Sequence, residues 1–356
     1  MPVVKLTCFK IKINYNLRLI KRDLLSLFLM PQSSQKWMIY SLGGGLGHFQ
    51  RALSLGRAAT QFGYQVHIIS NSRFLNCIPW RKEIDNSDFK LTVIPHSIDR
   101  IKTISHVREI LTNVDYDRLI VDTFPRGIAG ELPEIIDDLK IPKILASRFL
   151  NPAYVNKFNL QSEIRRYQLI ISIEKTAPFI DSHLSKTTAP WLLFNHNELY
   201  SRKRARMHFG LNQMDDKPLI VICGTGNKEE LKFFSSLADE LKRKLTNSDI
   251  LFNSPANQPG QMGIWPLLKF IRGVDVLIGS GGYNLVHESR MTETQLFAFP
   301  QKRLYDNQFL RLTPDECCNT PEELIYRIEE NCNKTVKAST YENGVFSAVK
   351  MIEMLQ

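Results

Sequence analysis

A histidine directly behind a glycine loop is the residue of this sequence best suited to move a proton. Gly43-Gly44-Gly45-Leu46-Gly47-His48 follows the apolar run Trp37–Leu42 and opens an amphipathic stretch over His48–Phe62 that carries Arg51. A strand, a glycine loop and a helix start together let backbone N–H groups approach an anion or a sugar closely. Gly44, Gly45, Gly47 and Arg51 are therefore expected on a ligand-binding edge. An imidazole at the first turn of such a helix can serve as a general base near neutral pH, particularly where an acid orients its ring. Asp122 ends the apolar run Arg118–Val121 and should reach the same carboxyl-end edge of a parallel sheet. The plainer reading of His48 is a residue that caps or lines the loop.

Two further glycine loops lie in the second half. Gly224-Thr225-Gly226-Asn227 follows the apolar run Leu219–Cys223, and Ser280-Gly281-Gly282-Tyr283-Asn284 follows Val274–Gly279. Two such loops suggest a phosphate seat. A nucleotide diphosphate needs N–H donors at a helix start, and its ribose needs a carboxylate a turn or two along the same helix, a position that Glu288 fits. No G-x-G-x-x-G register fits the first loop, the second strand ends in Ser70-Asn71-Ser72 rather than an acid, and no Walker A lysine follows. A dinucleotide fold and a P-loop are thereby excluded.

Short apolar runs alternate with amphipathic stretches from Trp37 onward, which is the pattern of βαβ units and parallel sheets. At 356 residues with 43% hydrophobic side chains, the chain can bury two cores. The alternation fades between Lys175 and Lys217 and resumes at Leu219. The expected organisation is a basic extension at 1–36, a Rossmann-like domain at 37–190, a linker at 191–216, a second Rossmann-like domain at 217–338 and an amphipathic helix at 339–356. The basic string Arg202–Arg206 in the linker reads as a solvated face.

The segment from Ser280 to Glu288, with Pro300 and then Asp306-Asn307-Gln308 behind it, resembles the donor-site signature of GT-B glycosyltransferases. The likeness is to the MurG-like and diglyceride-galactosyltransferase-like family 28 enzymes and to the UDP-glycosyltransferases, whose N-terminal motif the loop ending in His48 also resembles. It implies an α/β fold of the GT-B type, two Rossmann-like domains with parallel sheets facing across a cleft. It also implies transfer, with inversion, of a hexose or N-acetylhexosamine from a nucleotide-diphosphate sugar, UDP-linked, to an acceptor such as a lipid or cell-envelope component. By the same resemblance Glu288 binds the ribose hydroxyls, Gly281 and Gly282 approach the diphosphate, Asp306 and Gln308 contact sugar hydroxyls, and Asp122 pairs with His48. Ser280 stands where many relatives have histidine, and Glu293-Thr294-Gln295 where they have Gly-x-Pro.

Two other readings stay open. The pattern Gly45-Leu46-Gly47-His48-Phe49-Gln50-Arg51 also resembles nucleotide-sugar hydrolases, and the departures at Ser280 and Glu293 fit a nucleotide-sugar-binding protein without turnover. No cofactor is expected, since the nucleotide sugar is a co-substrate, and no metal. Asp115-Tyr116-Asp117 precedes a strand rather than following one, and the six cysteines form no CxxC pair. The net charge of +10 is concentrated at the start, where Lys5, Lys10, Lys12, Arg18, Lys21, Arg22 and Lys36 face only Asp23. This placement argues against nucleic acid as a partner. The extension reads either as a disordered or misassigned start or as a peripheral anchor on an anionic membrane. With no membrane-spanning run or cleavage site in view, the expected location is the cytoplasm, at the inner face of the membrane where the anchor reading holds.

Overall fold

The computed structural model describes residues 35–84, 88–211, 217–224, 228–255, 263–292, 294–331 and 341–355. The extension up to residue 34 lies outside them, so its two readings stand as posed.

The first half forms a seven-stranded parallel sheet. Its strands are β1 (Lys36–Ser41), β2 (Gln65–Ser70), β3 (Phe89–Val93), β4 (Arg118–Asp122), β5 (Lys143–Ser147), β6 (Leu169–Ser172) and β7 (Ser185–Thr187), in the order β3-β2-β1-β4-β5-β6-β7. Side chains of β1 alternate between two cores: Trp37 and Ile39 join Ala52 and Leu55 of helix α1 (Leu46–Gln61), while Met38 and Tyr40 join Val107 and Leu111 of α2 (Arg100–Asn113). A sheet covered on both faces gives the near-continuous apolar runs seen in the sequence. The strand order reverses between β1 and β4, which leaves a crevice beyond their carboxyl ends.

The second half repeats the device on a smaller scale. Strands β8 (Leu219–Cys223), β9 (Asp249–Asn253), β10 (Val276–Gly279) and β11 (Gln295–Ala298) run parallel in the order β11-β10-β8-β9, with the reversal between β8 and β10. A long helix (Lys228–Lys244) lays Phe234, Leu237, Ala238 and Leu241 against Ile220 and Ile222. Its first turn carries Glu229 and Glu230 and its last turn Lys242, Arg243 and Lys244, matching the helix dipole at both ends. No helix of the described residues is long and apolar enough to cross a membrane.

The basic string expected as a solvated face is a short helix, Arg202–His208, with one side bound to the second sheet. Arg206 is buried, donates to the Lys217 carbonyl at 2.7 Å and pairs with Asp275 at 3.3 Å, while Arg202 meets the same carboxylate at 2.9 Å. The amide of Leu219 also donates to Asp275, so the string is held where β8 begins. A charge run carries no mark of the carboxylate that awaits it 70 residues on.

After the second sheet the chain returns to the first. Val345, Ala348, Val349 and Ile352 of the last helix (Val345–Glu353) bury themselves with Trp37 and Ala52, and Arg118 donates to the carbonyls of Ile352 and Leu355. The returning segment lies beside the outgoing one: Asn343 exchanges two hydrogen bonds with the Leu192 backbone, at 3.0 and 2.9 Å, and the Gly344 amide donates to Pro190. Ile352 is fully buried in the first core, so Ile352→Ala should cost about 2–5 kcal/mol in denaturant unfolding. An unchanged midpoint would mean that the helix is a dispensable appendage.

Candidate active site between the two sheets

The carboxyl edges of both sheets open into one cavity of about 500 Å³, bounded on one side by residues 43–48 and Phe124 and on the other by Ser280, Gly282, Asn284 and Glu288. Each sheet contributes the loops at its own reversal point.

His48 and Asp122 meet. His48 Nδ1 lies 2.5 Å from Asp122 Oδ2, and Arg51, one helical turn on, forks the same carboxylate with Nε at 2.9 Å and Nη2 at 2.8 Å. All three side chains are buried. Burial would push the Asp122 carboxyl up, but the Arg51 guanidinium and His48 outweigh it and hold the group well below the usual carboxylate range. Burial takes the His48 imidazole down to about 4, because much of the Asp122 charge that would oppose it is already spent on Arg51. His48 is thus a neutral ring whose Nδ1–H donates to Asp122, with Nε2 unpartnered among the described residues. The ring packs so tightly on the loop that a Cβ on Gly43 would sit 2.2 Å from His48 Cδ2.

The glycine loop is less open to anions than its sequence implies. The amides of Gly43 and Gly44 both donate to Asn71 Oδ1, at 2.8 and 2.9 Å, so these donors are used within the protein. Gly44 adopts φ +71°, which favours glycine there. Gly45 and Gly47 line the cavity, and Gly45 precedes α1 with no side-chain cap.

A strained turn follows Asp122. Thr123 has φ +70°, unusual for a β-branched residue, and the Phe124 amide donates to the Asp122 carbonyl at 2.8 Å, closing a γ-turn of the rarer, positive-φ kind. Such strain costs of order 1–3 kcal/mol and persists only where neighbours over-determine it. Here Thr123 Oγ1 accepts from both Arg51 Nη2 (3.3 Å) and Arg148 Nε (3.2 Å), and Phe124 stacks on His48 with ring centres 5.4 Å apart. Nothing in the sequence announces this turn.

On the opposite wall, Ser280, Gly282 and Asn284 lie in the cavity at the start of the helix Tyr283–Thr292, whose first amides have no intrahelical acceptor. Gly281 (φ +72°) and Gly224 stand behind the wall: a Cβ on Gly281 would press on Leu312, and one on Gly224 on the Phe252 ring. Both glycines are therefore required by packing. Thr225, Gly226 and Asn227 lie outside the described residues. Asn253, its side chain bonded to both backbone groups of Ile264, and Trp265 complete this wall and had no signal in the sequence.

Glu288 is buried and faces the other domain, where Gln50 Nε2 of α1 donates to its Oε1 at 2.6 Å. Burial pushes the Glu288 carboxyl up to about 8, against the pull of Gln50. A second bridge runs beside it. Glu174, just beyond β6, receives Arg311 Nε and Nη2, and Arg311 also donates to both oxygens of Asp306, at 3.0 and 2.8 Å. Burial would raise Glu174, but His287 and Arg311 keep it well below the usual carboxylate range. Asp306, expected on a sugar hydroxyl, is thus already engaged by Arg311 and approached by Arg148 at 3.3 Å, though it still lines the cavity. Gln308 also lines it, its Oε1 accepting the Gln301 amide at 2.7 Å and its amide nitrogen left toward Gly282. Glu174, Arg148, Arg311 and Gln50 were not foreseen, since their partners lie far off in sequence.

Asp115 and Asp117 sit at the amino end of β4, where Lys36 meets both: its Nζ reaches Asp115 at 2.8 Å and its amide donates to Asp117. Among the described residues no group of His, Cys, Asp and Glu side chains is arranged to hold a metal.

Two expectations follow from these contacts. Gly43→Ala should displace the His48 ring and cut any turnover that depends on it, while leaving nucleotide affinity, measured by calorimetry, within about threefold. Folding raises the Glu288 carboxyl from 4.5 to about 8, so between those values the folded chain holds a proton that the unfolded chain has released, and stability falls as pH rises. Glu288→Gln should therefore raise Tm at pH 8 more than at pH 5 and leave it nearly unchanged at pH 4. A gain independent of pH would show that the carboxyl titrates normally.

No protein-family model and no curated protein sequence matches the chain. Solved structures do. The chain is similar to Acinetobacter baumannii MurG over 90% of its own length and 100% of that chain, with a TM-score of 0.56 and 15% identity. It is similar to the Streptomyces sp. SF2575 glycosyltransferase SsfS6, complexed with thymidine diphosphate, over 90% of this chain and 100% of that one, with a TM-score of 0.57 and 14% identity. The UDP-GlcNAc 2-epimerase of Methanocaldococcus jannaschii matches 90% of this chain over 99% of its own, with a TM-score of 0.56 and 13% identity. Identities this low speak to architecture alone. Two parallel sheets with their carboxyl edges on one shared cavity, and these neighbours, give the chain the MurG-like and UDP-glycosyltransferase-like GT-B fold.

Proposed function

We propose that this protein is an inverting glycosyltransferase that moves a hexose or N-acetylhexosamine from a nucleotide-diphosphate sugar, UDP-linked, to a hydroxyl acceptor. The observation that carries the reading is the neutral His48, its Nδ1 fixed on Asp122 and its Nε2 unpartnered among the described residues, in a cavity shared with the amide-rich start of the helix that bears Glu288. The acceptor hydroxyl attacks the anomeric carbon, its proton passes to Nε2, and the bond from that carbon to the diphosphate breaks. Negative charge developing on the leaving diphosphate is met by the helix N-terminus near Ser280 and Gly282. Glu288 takes the ribose hydroxyls in exchange for Gln50. Leu304, Phe309 and Leu310, exposed on the 304–311 segment, support an acceptor presented at a membrane or envelope surface, with the protein as a peripheral visitor there.

The arrangement also favours a second reading. The same base beside an open cavity could activate water, as in the nucleotide-sugar hydrolases that the Gly45–Arg51 pattern resembles. Incubation with a panel of UDP- and dTDP-sugars, following free nucleotide and free sugar together, separates the two. Nucleotide released only with an acceptor supports transfer; nucleotide and free sugar released without one supports hydrolysis; binding with neither would sink both.

His48→Ala should lower turnover by about 10²–10⁴ while donor binding stays within a few-fold. With the ring neutral down to about pH 4, the acid limb of kcat/KM should lie near 4 rather than at the ordinary histidine value of 6.5, and should vanish in the alanine variant. An acid limb that persists in the variant would move the base elsewhere on this edge.

A further inference from the structure

Arg148 follows β5 on the floor of the cavity and is nine-tenths buried. Its Nε donates to Thr123 Oγ1 at 3.2 Å, but its buried Nη1 has no hydrogen-bond partner among the described residues. Nη1 comes no closer to Asp306 Oδ1 than a 3.3 Å ion-pair approach, and Arg311 already holds both oxygens of that carboxylate. The neighbouring arginines are spent differently. Arg51 is forked on Asp122, Arg303 donates to Glu230 at 2.6 Å, and Arg311 is divided between Glu174 and Asp306. A buried guanidinium with undonated N–H groups is costly to keep, and the chemistry that completes it is a planar or tetrahedral oxyanion.

Its place decides whose oxyanion this is. Arg148 belongs to the first sheet and shares Thr123 with Arg51, close enough that its charge bears on the His48 ring. The helix start suited to a donor's diphosphate belongs to the other sheet. On the first sheet the amides of Gly43 and Gly44 are closed off by Asn71, while the start of α1 from Gly45 lies open to the same cavity. We infer that Arg148 is the acceptor-binding residue that takes a carboxylate or phosphate carried by the acceptor, so that this protein glycosylates an anionic acceptor. The inference rests on the transferase reading above.

The test uses the full chain and simple probes: inorganic phosphate and D-glucuronate, with D-glucose as the neutral control, titrated calorimetrically with and without saturating UDP. UDP alone is titrated first, so failure of the nucleotide-binding reading is seen separately. One or both anions, but not glucose, should bind whether or not UDP is present, and which of the two binds tells a phosphate from a carboxylate acceptor. Arg148→Gln should weaken that binding by about tenfold or more, with Arg148→Lys between, while UDP affinity is kept. Asp306→Asn, which removes the carboxylate competing for Arg148, should strengthen it by about threefold or more. This opposite-signed arm decides the matter if Arg148→Gln does not fold. Anion binding that UDP abolishes would assign Arg148 to the donor diphosphate and overturn the proposal, as would affinity unchanged in both variants or equal binding of glucose.

Discussion

The charge on Asp122 is the interaction on which the cavity is built. A carboxylate this deeply buried would ordinarily take up a proton, and it stays ionised because Arg51 meets it with two hydrogen bonds. Ionised, it can only accept, so the proton of the neutral imidazole must sit on Nδ1 and the lone pair on Nε2. The same guanidinium helps hold the Thr123 hydroxyl, and with it the γ-turn that lays Phe124 along the histidine ring. Removing the carboxylate would leave Arg51 as an uncompensated buried charge, which is why the three residues behave as a unit. Gly43 belongs to this unit although it makes no polar contact with it: only a residue without a side chain leaves room for the ring.

The two sheets are bridged by polar contacts at the cavity and, beside it, by an apolar cluster that joins Phe49 and Leu53 of α1 to Leu219, Val221 and Val286 of the second half. Gln50 on Glu288, and Glu174 on Arg311, put hydrogen bonds between the two walls. Buried pairs of this kind add little net stability, since desolvation offsets much of their attraction, but they are strict about geometry. They set how the two walls face each other. The raised Glu288 carboxyl records the expense of that position: it pairs with an amide, not with a cation.

Much of the fold was legible because the signals are local. Gln65–Ser70 and Leu219–Cys223 are apolar runs of strand length bounded by polar residues, and both are strands with those ends. His48 and Asp122 could be paired on paper because each follows a central strand of a parallel array, and the topology of such arrays fixes which ends meet. What could not be read is whatever depends on the second sheet's position. Arg206 looked solvated because Asp275 is distant in sequence; Arg148 and Glu174 drew no notice because their partners at 306 and 311 lie across the cavity. Gly224 and Gly281 were read as approaching a ligand, whereas a glycine needed to make room for Phe252 or Leu312 looks the same in sequence. The positive φ of Thr123 has no local signature, being imposed by two arginines that converge on its hydroxyl.

The paired crossing of the chain between the sheets has a mechanical consequence. A single connecting strand would allow one half to swivel about it freely. Here the outgoing segment at Pro190–Leu192 and the returning segment at Asn343–Gly344 lie side by side, stitched by three hydrogen bonds, with Gly344 so close to Ala189 that a Cβ would fall 1.9 Å from its carbonyl oxygen. Two parallel straps fastened to each other resist torsion but still bend. Together with the apolar cluster that joins Phe49 and Leu53 to Leu219 and Val286, the straps keep the register between the two cavity walls, so that His48 is held at one point opposite the second wall.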